Sequence, residues 1–166
     1  MNAIRSEVTP KDLALLPMWA ALGTAMIVHG WGKLKGEEAL SQTGQFFETI
    51  GIRPGRFWAA ATGAAELAAG TLALLGIGTR LAALAVLVTQ AVAAIRVHAP
   101  KGFDFMKGGM EYNLALMAIA LGLLAEGPGR VSAHERIERL VEGRGPRRFL
   151  RRVRPSRRLR LLHAIK

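Results

Sequence analysis

Apolar residues run almost unbroken through four stretches of the chain, and the polar ones gather between them. The stretches extend from Leu13 to Trp31, Phe57 to Leu75, Leu81 to Ile95, and from about Met110 to Ala125. The first covers 19 residues. At 1.5 Å per residue a helix of that length reaches roughly 28 Å, close to the ~30 Å hydrocarbon thickness of a bilayer. Length alone does not separate such runs from the helices of a water-soluble apolar bundle. Pattern does: a helix at a water-facing surface carries a polar stripe, and the second and third runs carry none. The chain therefore reads as all-α. It should form a four-transmembrane-helix bundle, with helices over about 13–32, 57–75, 79–98 and 109–126. These make up a membrane domain of residues 1–130, and residues 131–166 form a basic, partly helical, amphipathic tail.

The residues between the runs supply starts and stops. Thr9-Pro10 fits a helix start, with the threonine capping and the proline in the first turn, where its missing N–H costs nothing. Trp19 and Trp31 fall toward the two ends of the first run, where interfacial aromatics gather. Between Lys33 and Arg56, charges alternate with glycines, and Phe46, Phe47 and Ile50 predict a short helix lying against the bundle. Gly76 fits the position after a helix end. Gly78-Thr79 predicts a tight turn with Thr79 capping the next helix, which makes the second and third helices antiparallel neighbours. A glycine-closed loop over 101–109 leads into the fourth run, and Gly127-Pro128-Gly129 ends it. Ser132 and Glu135 form a capping box for a short helix with Ile137, Leu140 and Val141 on its apolar face.

Charge sharpens this picture. Residues 1–129 carry 10 Lys/Arg and 9 Asp/Glu, whereas residues 130–166 carry 13 Lys/Arg and 3 Asp/Glu, so nearly all of the net charge of +11 sits in the tail. Following an apolar body, that tail suits an anionic membrane surface, at about 1 kcal/mol per basic residue near the headgroups. A solvated charged segment is the plainer reading. No aromatic platform or recognition motif points to nucleic acid. With four spans both termini share a side, which collects Arg5, Lys11, Arg80 and the tail against seven basic residues opposite, so both termini should be cytoplasmic at the inner membrane. The first run is too long for a secretory leader and lacks a small-residue cleavage site, so it is read as retained. The absence of cysteine excludes disulfides, thiolate metal sites and cysteine nucleophiles for this chain.

Candidate chemistry centres on Glu66, one carboxylate inside an apolar run. Such a group costs at least several kcal/mol if charged and alone, so it should be protonated or paired, with Lys33, Arg96 or a protonated histidine as partner. The topology brings His29, Lys33, Arg96, His98 and Glu111 into the outer half of the bundle with it. Glu66 and His29 are the catalytic candidates, and His29, Lys33, Glu66, Arg96, His98 and Glu111 the ligand-binding ones. The plain alternatives are that Glu66 ties helices together through hydrogen bonds and that Lys33 and Arg96 snorkel to the interface. Tyr112 reads as an interfacial aromatic. His29 and His98 satisfy a necessary condition for axial ligation of haem b, and far from a sufficient one. With Glu66 and Glu111 they supply metal-ligand types but not the Glu-x-x-His spacing of di-iron bundles, so no metal is assigned.

The segments HGWGKL at 29–34, AAELAAGTLALLGIGTRLAAL at 64–84, GGMEYNLAL at 108–116 and GPG at 127–129 together resemble the DoxX family of small four-helix bacterial membrane proteins, over about residues 18–130. The resemblance implies His29, Gly30, Lys33, Glu66, Gly70, Gly76, Arg80 and Glu111 as the positions that fit the family pattern. It also implies membrane redox partners. Namesakes are membrane subunits of an archaeal thiosulfate:quinone oxidoreductase, and others are associated with oxidative-stress complexes. The arginine-rich tail lies outside the pattern.

The expectation that follows is a membrane protein that is a subunit or partner of a quinone-linked redox system, with quinone as the cofactor to look for. Lipids, redox-complex subunits and further copies of the chain are the partners it suits. A scaffold without activity, its tail holding lipid or a cytoplasmic partner, is the first rival. A small proton-linked transporter is the second, weakened because no inverted repeat is visible.

Overall fold

Thr9 starts the first helix in the computed structural model, which describes residues 8–143. Its hydroxyl accepts from the Asp12 amide (3.3 Å) while the Asp12 carboxylate accepts from the Thr9 amide (2.9 Å), a complete capping box ahead of α1, Pro10–Leu34. After it come α2 (Glu37–Thr49), α3 (Gly55–Leu75), α4 (Thr79–Ala93), α5 (Glu111–Glu126) and α6 (Ala133–Gly143). Beyond α4 the rod continues as a π-helical turn, Ala94–His98, and a 3-10 turn, Ala99–Lys101. No strand occurs among the described residues. Arg5 and the arginine-rich segment from 144 onward lie outside them.

Among the described residues, three helical stretches are long and apolar enough to cross a membrane: Pro10–Leu34, Gly55–Leu75 and Thr79–Lys101. At 16 residues α5 spans only about 24 Å, within the 109–126 expected for the fourth helix. Large apolar side chains are exposed on these helices, among them Leu13, Val28, Leu81, Leu84 and, at 68% exposure, Ile95. Such an apolar exterior suits lipid rather than water. The core is built from α1, α3, α4 and α5 together, with Leu22, Met26, Ala73, Val86, Ala120 and Leu123 at its centre.

The tightest seam is between α1 and α3, which run antiparallel. A Cβ added to Gly30 would fall 2.5 Å from the Leu67 nitrogen, and one added to Gly70 would fall 2.7 Å from the Gly23 oxygen, so only glycine lets the two backbones approach this closely. The short helix expected near Phe46 exists as α2 and lies against α3, where a Cβ on Gly55 would meet the Gly44 oxygen at 2.0 Å.

Gly76 ends α3 in the left-handed conformation, as expected. The cap of α4 differs: Gly78 occupies the N-cap position, and the Thr79 hydroxyl is buried without a partner among the described residues. Trp19 is 4% exposed and belongs to the core cluster with Leu15 and Leu22, beside Gly76 at the α3–α4 turn, rather than to an exposed aromatic belt. In α6, Ser132 caps through the Glu135 amide (3.2 Å), but the face turned inward carries His134 and Glu138, while Ile137 and Leu140 point outward.

Candidate functional site

The glycine seam decides the central contact. Because α1 and α3 run so close, Lys33 in the last turn of α1 reaches the middle of α3, where its Nζ donates to Glu66 Oε2 at 2.5 Å and to the His29 carbonyl oxygen at 3.2 Å. The Glu66 side chain is 5% exposed and that of Lys33 19%. Removing two charges from water costs several kcal/mol each, and only their mutual contact offsets it, so either one alone would be strongly unfavourable. Of the cations available to Glu66, the structure selects Lys33.

Beside this pair lies a cavity of about 500 Å³. Its walls are mostly apolar: Phe46, Phe47, Ile50 and Ile52 from α2 and the segment after it, Trp58, Ala61 and Ala65 from α3, and Val88, Val92 and Ala93 from α4. Polar groups are few and enter from different helices: His29, Lys33, Glu66, Arg96, His98 and the amide pair Gln90 and Asn113. An apolar hollow with a handful of convergent polar groups is the ordinary form of a small-molecule site.

Arg96 and His98 reach the cavity through the π-helical turn. Pro100 has no N–H to donate and its ring crowds the carbonyl four residues back, so the α-helical ladder cannot continue; the Ala99 amide bonds instead to the Ala94 oxygen. The Arg96 guanidinium then donates to the Ile50 oxygen (3.1 Å), joining the cavity's α4 wall to the end of α2. His98 donates from Nδ1 to the Gly108 oxygen (2.8 Å), which fixes its ring against the loop before α5. The His29 ring packs on Tyr112 with centroids 5.9 Å apart, and Tyr112 packs in turn on Phe105.

Of the six ligand-binding candidates, His29, Lys33, Glu66, Arg96 and His98 line the cavity. Glu111 does not. It is exposed, and its Oε2 accepts the Phe105 amide (3.2 Å), closing the loop ahead of α5. That loop turns the first residue of α5 back on itself, so the carboxylate is used locally, which also separates it from the His29, His98 and Glu66 set considered for a metal.

Sequence reasoning did not single out Gln90 and Asn113. Gln90 is 3% and Asn113 4% exposed; Asn113 Nδ2 donates to Gln90 Oε1 at 2.9 Å, and Gln90 Nε2 donates to the Met26 sulfur at 3.6 Å. One amide in each of two apolar runs was the available signal, since a buried amide needs a partner and each supplies the other's. Phe46 and Phe47 were visible as part of a helical pattern, but not their position over the cavity, and Trp58 was not singled out.

The DoxX family model matches residues 14–99, just over half of the chain. The chain is also similar to the uncharacterized membrane protein Rv3486 of Mycobacterium tuberculosis, 35% identical over 111 residues that make up 61% of this chain and 68% of the relative. No solved structure matches it.

Proposed function

This chain belongs to the DoxX family of membrane proteins, and from that premise we propose that it binds a small amphipathic molecule of the quinone class, drawn from the bilayer, as a subunit or partner of a membrane redox system. In this reading α5 and the residues before it complete a fourth span, both termini face the cytoplasm at the inner membrane, and the cavity lies in the outer half. The carrying observation is the Lys33–Glu66 pair at the edge of a largely apolar cavity whose walls include three aromatic side chains. The aromatic and aliphatic walls suit a ring and its apolar substituent. Lys33, held in place by Glu66, is the group that would donate to a ring oxygen.

The rival is a scaffold in which the pair only fastens α1 to α3, a reading favoured by the directness of that contact. One experiment separates the two. A decyl-substituted benzoquinone is titrated against the protein in nanodiscs, followed by quenching of Trp58 on the cavity wall, with Trp58→Phe as the control. Glu66→Gln leaves Lys33 without its carboxylate, so it should lower the melting temperature and, in the fraction that remains folded, weaken binding about tenfold. Undiminished binding in that variant removes the assignment. No saturable binding to the native protein favours the scaffold.

A further inference from the structure

The amide pair on the cavity wall has a fixed direction, and the direction has a ligand consequence. A glutamine or asparagine amide can present either its oxygen or its nitrogen, and the surrounding hydrogen bonds decide which. Here the decision begins at Met26 on α1. A thioether sulfur accepts and never donates, so Gln90 on α4 must turn Nε2 toward it (3.6 Å). Gln90 Oε1 is then left facing Asn113 on α5. An oxygen there requires a donor, so Asn113 presents Nδ2 (2.9 Å), and its own Oδ1 is the atom left over. That oxygen is buried and has no partner among the described residues, although Asn113 lines the cavity. A buried amide oxygen without a donor is costly, and satisfying it is worth about tenfold or more in an equilibrium constant.

We propose that Asn113 Oδ1 is the acceptor for a hydroxyl of the bound molecule, so that the cavity selects the reduced, hydroxyl-bearing quinol over the oxidised quinone. This rests on the quinone-class reading of the cavity given above. A quinone ring offers only carbonyl acceptors and would set oxygen against oxygen at Asn113. A quinol brings an O–H. Met26 and Gln90 act as positioning residues: they do not touch the ligand in this account, but fix which end of the Asn113 amide meets it. Thr89 and Glu66 also line the cavity, but the Thr89 hydroxyl already bonds to the Val86 oxygen (3.2 Å) and the Glu66 carboxylate to Lys33, whereas Asn113 Oδ1 has no partner among the described residues.

The test uses the full chain in nanodiscs and three probes: a decyl-substituted benzoquinol kept reduced, its benzoquinone, and the dimethyl ether of the quinol, which keeps the ring and loses the donors. The native protein should bind the quinol about tenfold more tightly than either other probe. Asn113→Leu, which has no acceptor, should lose the preference. Met26→Leu is close to volume-conserving and should fold; without the sulfur the amide pair can reverse, and the preference should narrow to about twofold. Equal binding of all three probes by the native protein overturns the inference while leaving the cavity reading intact. So does a preference that survives Met26→Leu and Asn113→Leu. Failure of every probe to bind the native protein overturns the cavity reading and this inference with it.

Discussion

Two carboxylates of low exposure, Asp12 and Glu66, are used in different ways near the two ends of α1. Near the start of α1, Asp12 accepts the Thr9 amide and hydroxyl and, from 118 residues away, the Arg130 amide at 2.9 Å, so its oxygens are spent on backbone groups that close this end of the molecule. Lys11 pairs with Glu126 beside it. At the other end Glu66 meets a single lysine, and the neighbouring polar atoms face a hollow of about 500 Å³. One end uses charge to fasten chain segments. The other holds a paired charge at the edge of a largely apolar cavity. The contrast teaches that burial of an acid in an apolar helix does not by itself mark a site; what its partners leave open does.

The strongest way to break the comparison is Lys33→Met. It leaves Glu66 buried without its cation and should destabilise the protein by about 3–5 kcal/mol, with most of that recovered when Glu66→Gln is added. Unfolding of the single and double variants in nanodiscs checks it. A loss below about 1 kcal/mol would mean that Glu66 does not depend on its lysine. Next is Gly30→Ala, whose new methyl group has no room against Leu67 and Gly63; forcing α1 from α3 should cost about 1–3 kcal/mol and weaken the Lys33–Glu66 contact at the same time. Asp12→Ala should lower the melting temperature by less than Gly30→Ala and leave ligand binding unchanged, since it removes a cap and the tie to Arg130 but nothing at the cavity.

The smallest effect concerns the ion pair between Glu37 and Arg56, on the surface where α2 meets α3. The hydrogen bond from Arg56 holds the Glu37 carboxyl below its ordinary value. A depressed folded value means that the pair's contribution is present above the unfolded carboxyl's pH of about 4.5 and is lost as pH falls through the lower, folded value. The difference in melting temperature between the native protein and Glu37→Gln should therefore be slight at neutral pH, because the pair is exposed, and should vanish in acid.

Much of the architecture was legible because it rests on local signals. The apolar runs, the Thr9 cap, Gly76 at the end of α3 and the short helix around Phe46 each follow from residues close in sequence. The pairing of Glu66 with a cation was legible too, since a buried charge demands one. What was not legible depends on registry between distant helices. The burial of Trp19 depends on its packing into the core beside the α3–α4 turn, and the bond from the Phe105 amide to Glu111 is a loop property that no helical pattern displays. The Met26, Gln90 and Asn113 chain spans three helices, so no single stretch of sequence carries it.

The central claim is that the space beside Lys33 and Glu66 holds an amphipathic molecule taken from the membrane. The most direct test is mass spectrometry of the apolar small molecules that co-purify with the protein when it is extracted from its own membrane into native nanodiscs. The account predicts one benzenoid amphiphile enriched toward one per chain, and lost in Glu66→Gln. Phospholipid alone, in the same composition for both proteins, would contradict it.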